Sequence, residues 1–129
     1  MTADIPRGVD MKLEVVVIPV SDVARARAFY EQLGWRVDAN VDASGFQLVQ
    51  LTPPGSGCSI VMGEGITESP PGTAQAQLVV ADVEAAREQL FATGVQVSDV
   101  QDFDWGSFVF FADPDGNRWA VQQVPPRSR

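Results

Sequence analysis

The sequence predicts an α+β fold of two tandem βαβββ modules. Three observations carry this: a repeat at an offset of 60 residues, matched helix caps and stops, and matched strand-and-turn patterns after each helix. The segment VVVIPVSDVARARAFYEQLGWRV begins at Val15, and QAQLVVADVEAAREQLFATGVQV begins at Gln75. Without a gap, Val20 meets Val80, Asp22 meets Asp82, Ala26 meets Ala86, Arg27 meets Arg87 and Gly34 meets Gly94.

Each half opens with an apolar, strand-like run, Val15 to Val20 and then Gln75 to Val80. Asp22 and Asp82 follow as N-caps, because a short acceptor side chain satisfies the free N–H groups of a first helical turn. Val23, Ala26, Phe29, Tyr30 and Leu33 fall on one helical face, as do Val83, Ala86 and Leu90. Gly34 and Gly94 stop the helices at the position that favours a left-handed backbone. Three strands are then expected in each half: Trp35–Ala39, Phe46–Leu51 and Cys58–Met62, then Val95–Val100, Ser107–Ala112 and Asn117–Val124. The turns Pro53-Pro54-Gly55 and Asp113-Pro114-Asp115-Gly116 join the last two strands of each half. The whole chain, 1–129, reads as one domain, with module one over about 12–63, a Gly- and Pro-rich connector over 64–73 and module two over 74–124. The tails, 1–10 and 125–129, carry no periodic signal and are expected to be mobile.

Composition excludes several classes. Nine Lys and Arg residues against seventeen Asp and Glu leave a net charge of −8, which argues against nucleic acid and anionic membranes as partners. No apolar run reaches the roughly 20 residues that cross a bilayer. The opening MTADIPRGVDMK has no apolar signal core, so a cytoplasmic location is expected. The chain has no histidine and one cysteine, Cys58. That removes Ser-His-Asp triads, Cys-His pairs, His-containing metal sites and intrachain disulfides. Cys58 reads as a small buried hydrophobe, and Tyr30, Trp35 and Trp119 as core.

The strings VSDVARARAFYEQLGW and FFADPDGNRWAVQQV resemble the vicinal oxygen chelate superfamily, which includes glyoxalase I, bleomycin-resistance proteins and extradiol dioxygenases. The resemblance covers about Lys12 to Val124 and implies the same paired modules, cupped around a central cleft. It also implies a homodimer. Metal-dependent members hold a divalent ion with four side chains, two on the first strands and two on the last strands. By the repeat these fall at Val15, Ile60, Gln75 and Ala120. Three are aliphatic and one is an amide, so no metal and no other cofactor is expected.

Strand alternation from those positions sets the expected cleft. Val15, Val17, Ile60 and Met62 form an apolar half, and Gln75, Gln77, Arg118, Ala120 and Gln122 a more polar half, with Trp105 as a lid from its loop. Gln75 and Gln77 also suit a solvated sheet mouth, and Arg118 also suits pairing with a nearby Asp. No catalytic constellation is visible. The expected function is metal-independent binding of a small amphipathic organic molecule. The alternatives are a metal-independent lyase or isomerase acting through a loop carboxylate, and a metal enzyme with relocated ligands.

Overall fold

The computed structural model describes residues 8–43 and 45–125. Most of the two tails expected to be mobile lies outside the described residues. The chain runs β1 (Val15–Val17), α1 (Val23–Gln32), β2 (Arg36–Ala43), β3 (Phe46–Thr52), β4 (Ser59–Gly63), β5 (Gln75–Val79), α2 (Val83–Ala92), β6 (Gln101–Phe103), β7 (Gly106–Ala112) and β8 (Arg118–Gln123). Each module is one open four-stranded sheet, ordered β1-β4-β3-β2 and β5-β8-β7-β6. The outer pairs β1/β4 and β5/β8 are parallel, because a helix connects the first strand back to the sheet.

The caps behave as the sequence requires. Asp22 Oδ1 accepts from the Arg25 N–H at 3.0 Å, and Asp82 Oδ1 accepts from the Ala85 N–H at 3.1 Å. Gly34 and Gly94 end the helices at φ 91° and 88°. One element moves. The expected strand Val95–Val100 is not part of the ladder, and the strand beside β7 is Gln101–Phe103. The reason lies at Ser98. Its N–H reaches the Phe110 carbonyl at 3.0 Å, but its own hydroxyl takes the Phe110 N–H and Arg87 Nε takes its carbonyl. Side chains there occupy the groups that a continued ladder would use.

Both sheets turn their helix-bearing faces to one shared core. It contains Ile18, Trp35, Val49, Leu51, Ile60 and Met62 from module one and Val109, Phe111, Trp119 and Val121 from module two. Tyr30 of α1 crosses the boundary. Its ring meets Trp35 at 4.9 Å and Trp119 at 6.0 Å, and Trp35 meets Trp119 edge-on at 5.2 Å. Such contacts contribute about 0.5–1.5 kcal/mol each beyond area burial.

A buried polar hub closes this seam. Asp113, in the β7–β8 turn, accepts Tyr30 O–H at 2.7 Å and Asn117 Nδ2–H at 2.8 Å on one oxygen. Its other oxygen accepts the N–H groups of Asp115 and Asn117 at 3.0 and 2.9 Å. Asn117 also donates to the Pro19 carbonyl at 2.8 Å and accepts from the Ala74 N–H at 2.9 Å. Trp119 Nε1–H donates to the Tyr30 oxygen at 2.9 Å. Beside the hub, Asp115 accepts from the Ser21 hydroxyl at 2.6 Å and the Ser21 N–H at 3.1 Å. The connector passes so close that a Cβ on Gly72 would lie 2.2 Å from the Asp115 carbonyl oxygen.

Burial first, and the Asp113 carboxylate next, push the Tyr30 phenol well above its ordinary value of 10.0. A raised folded value means that this contribution to stability is complete below about pH 10 and is lost as pH climbs above it. Tyr30 is the one tyrosine in the chain, so tyrosinate absorbance reports it alone. Absorbance is expected to stay flat through the normal phenol range and to rise only with alkaline unfolding; a transition near 10 in folded protein would contradict the hub. Tyr30→Phe, which removes a donor from a buried carboxylate, should cost about 1–3 kcal/mol in a denaturant titration.

Candidate ligand-binding site

Because the helix faces close on the shared core, the opposite faces of the two sheets turn outward. Each sheet therefore presents its share of the cleft to solvent on its own side of the chain. On the second sheet, Gln75, Gln77, Arg118, Ala120 and Gln122 share the outer face, as strand alternation requires. Their neighbours in sequence, Trp119 and Val121, are core. The register expected for β5 and β8 is the one observed.

On the first sheet the alternation splits. Val15 and Val17 face outward, paired with Ser59 and Val61. Ile60 and Met62, expected beside them, are instead buried at 5% and 0% exposure in the shared core. The cause is a length difference. Gln50 of β3 pairs with Val61, and Phe110 of β7 pairs with Ala120. The offset of 60 thus holds through β3 and β7 but drops to 59 at β4 and β8, because the PPGSG turn is one residue longer than its counterpart. Val61 is the true counterpart of Ala120, and Ser59, Val61 and Gln50 occupy the face assigned to Ile60 and Met62. A one-residue slip moves every side chain of a strand to the other face. Near this face Thr52 donates to Asp38 and lies 2.6 Å from the Ser59 hydroxyl. Arg36 first, and Thr52 next, hold the Asp38 carboxyl below its ordinary value.

The second outer face carries an aromatic ladder that the motif positions did not mark. Phe108 and Phe110 stack at 5.8 Å, Phe103 meets Phe108 edge-on at 5.7 Å, and Trp105 stacks on Phe103 at 5.1 Å with planes 10° apart. Trp105 is 62% exposed. Strand parity carried into β7 would have found Phe108 and Phe110, since they pair with Gln122 and Ala120. A hollow of about 580 Å³ opens on this face, lined by Gln75, Phe110, Ala112, Arg118 and Ala120 among others. That is within the usual size of a small-molecule site.

Polar groups on the face divide into two kinds. Gln77 donates to Gln122 Oε1, and Gln122 Nε2–H donates to the Trp105 carbonyl at 2.8 Å. Gln122 is therefore a strut that holds the β6–β7 hairpin down on β8. Gly106 lets the hairpin lie so close: at φ 144°, a Cβ there would sit 2.7 Å from the Gln123 carbonyl oxygen. Arg118 is the other kind. Lys12, Arg25, Arg27, Arg36 and Arg87 each have a carboxylate partner, whereas Arg118 has none among the described residues. Cys58 is a free, half-buried thiol.

The Glyoxalase/Bleomycin resistance protein/Dioxygenase superfamily model matches residues 12–121. The chain belongs to this superfamily. TnmS3, an antibiotic binding protein from Streptomyces sp. CB03234, is 29% identical, with a TM-score of 0.83 over 92% of this chain and 100% of that one. A glyoxalase/bleomycin resistance protein from the same Streptomyces strain is 31% identical, with a TM-score of 0.76 over 87% of this chain and 100% of the other. A superfamily member from Sphaerobacter thermophilus DSM 20745 shares the fold, at 24% identity and a TM-score of 0.76 over 88% and 98% of the two chains. No curated protein matches in sequence.

Superfamily membership raises the question of a divalent ion. With the β4 register observed, the donor set becomes Val15, Val61, Gln75 and Ala120. It offers one neutral amide oxygen where such an ion needs several anionic or imidazole ligands, so these residues do not fit it. Among the described residues, no group of three or more His, Cys, Asp or Glu is placed to hold a metal.

The strut can be tested directly. Gln122→Leu keeps the volume and removes both amide contacts. It should weaken the near-ultraviolet circular dichroism of the Phe103–Trp105 stack and lower stability by about 1 kcal/mol, leaving the far-ultraviolet spectrum unchanged. An unaltered near-ultraviolet spectrum would show that the hairpin is held without it.

Proposed function

We propose that this protein is a metal-independent small-molecule-binding protein whose sites form between two copies of the chain. The observation that carries this reading is the outward face of the second sheet. It joins a hollow, an aromatic ladder exposed at Phe103, Trp105 and Phe110, and the Arg118 guanidinium, which has no carboxylate partner among the described residues. Stacked rings favour a flat apolar body, and a guanidinium favours a carboxylate or phosphate. The ligand class is then a small amphipathic molecule with an anionic group. Gln75 offers a further amide, and Ala120 and Phe110 form the floor. The antibiotic-binding relative at 29% identity supports a binding role.

Two features support a partner copy. The edge strand β1 leaves Val15, Val16 and Val17 each 39% exposed, and the edge strand β5 leaves Val79 64% exposed. Apolar edges of this kind invite pairing. A two-fold dimer would set the first-sheet face of one copy, Val15, Val17, Gln50 and Val61, against the second-sheet face of the other, giving two closed clefts. Such dimers are the commonest closed assembly. A cytoplasmic location completes the reading. No helix among the described residues is long and apolar enough to cross a bilayer.

Light scattering at tens of micromolar should give twice the chain mass of 13.9 kDa. 2-Naphthoate, which pairs a flat ring system with a carboxylate, should bind saturably without added metal and raise the melting temperature. Arg118→Gln should weaken it by roughly tenfold or more, the worth of one charge-assisted hydrogen bond. Ala120→Trp and Val61→Trp should abolish it while the protein stays folded, whereas Ile60→Trp should unfold the core. A monomer mass, or full affinity in Ala120→Trp, would contradict the reading.

A further inference from the structure

The repeat makes the two ends of the module seam comparable, and they are built differently. At one end Tyr30 and Asp113 form the buried latch. Sixty residues on from Tyr30 stands Leu90, and sixty before Asp113 stands Pro53. Neither can make a side-chain hydrogen bond, and leucine is shorter than tyrosine by most of a ring. The latch therefore has no counterpart, and the seam stays open there.

The opening is a cavity of about 230 Å³. Leu33, Trp35 and Pro53 line it from module one, and Leu78, Leu90 and Phe111 from module two. No charged side chain is on its wall. α2 leaves the space because its inward face is small: Val83 is its one buried residue, and Ala86 stands on the cavity wall. The Thr93 hydroxyl already donates to the Leu90 carbonyl at 2.7 Å, and the Thr93 carbonyl already accepts from Gln32 at 2.8 Å. That leaves the exposed Gln89 amide as the polar side chain at the mouth with no partner among the described residues.

We propose that this cavity is a second binding site, for a small, neutral, apolar molecule, separate from the outward cleft. An apolar cavity of roughly 150 Å³ holds a benzene-sized molecule, so a single substituted ring fits here. The wall is preformed by side chains of both modules, and occupancy ties them together at the end that lacks the latch. A charged or strongly polar ligand would find no partner inside and would lose its hydration. The bound molecule acts as the missing wedge, and it stiffens the scaffold behind both sheet faces.

Toluene is the probe, read by thermal shift and by amide chemical-shift changes in the intact chain. Toluene is expected to raise the melting temperature saturably and to move the amides of Leu78, Leu90 and Phe111. Ala86→Phe, which fills the cavity, should weaken it at least tenfold. Should that variant fail to fold, Gln89→Trp, at an exposed helix position, should cover the mouth with the same effect. Ala120→Trp, on the opposite face of the second sheet, should leave toluene affinity unchanged. No saturable shift, full affinity in the filled or covered variant, or loss of affinity in Ala120→Trp would each overturn the proposal. Since toluene and 2-naphthoate are scored on different variants, failure here leaves the reading of the outward cleft standing.

Discussion

The hydrogen-bonded carboxylate of Asp113 is the interaction on which the arrangement of this protein depends. Four donors converge on two oxygens in a place with little access to water. An unmet carboxylate there would cost several kcal/mol, so the donors are obligatory. Tyr30 belongs to the first module and Asp113 to the second, so meeting that demand brings the helix face of one sheet against the helix face of the other. The aromatic contacts among Tyr30, Trp35 and Trp119 then add apolar burial around the same point.

The placing of the two outer faces follows from that orientation. A sheet has two faces, and the core takes one. The other must face outward, and in both modules it carries the positions that correspond to the ion-holding side chains of the metal-dependent members. In this chain those positions hold Val15, Val61, Gln75 and Ala120, which bring shape and one amide but no metal chemistry. What the second face offers in their place is a stacking surface and a guanidinium, Arg118, with no carboxylate partner among the described residues. Both suit holding a molecule.

Most of the fold was legible in the sequence, because it rests on local rules. The Asp caps, the Gly stops and the alternation of β5 and β8 depend on a few neighbouring residues, and each stands where expected. The failures are of two kinds. One offset carried across a turn that is a residue longer in the first half puts Ile60 and Met62 in the cleft. Alternation has a period of two, so that single residue inverted the strand. Val95–Val100 looked like a strand by composition, but the hydroxyl of Ser98 and the guanidinium of Arg87 occupy its ladder groups. The pairing of Tyr30 with Asp113 spans 83 positions. No local pattern encodes it, which is why the sequence placed both cleft halves around one centre and did not show them turned outward. The aromatic ladder was within reach, since Phe108 and Phe110 obey the same parity as Ala120.

In the proposed dimer each chain supplies two different halves of two different clefts. Complementation by mixing tests it most directly. Val61→Trp blocks the first-sheet half and Ala120→Trp the second-sheet half, so neither homodimer should bind 2-naphthoate. After the two variants are mixed and allowed to exchange subunits, each heterodimer has one cleft with both halves blocked and one with both halves intact. Binding is expected to return with native affinity, at a capacity set by one cleft per heterodimer. Mixed samples that exchange subunits and still fail to bind, or either variant binding alone, would contradict it.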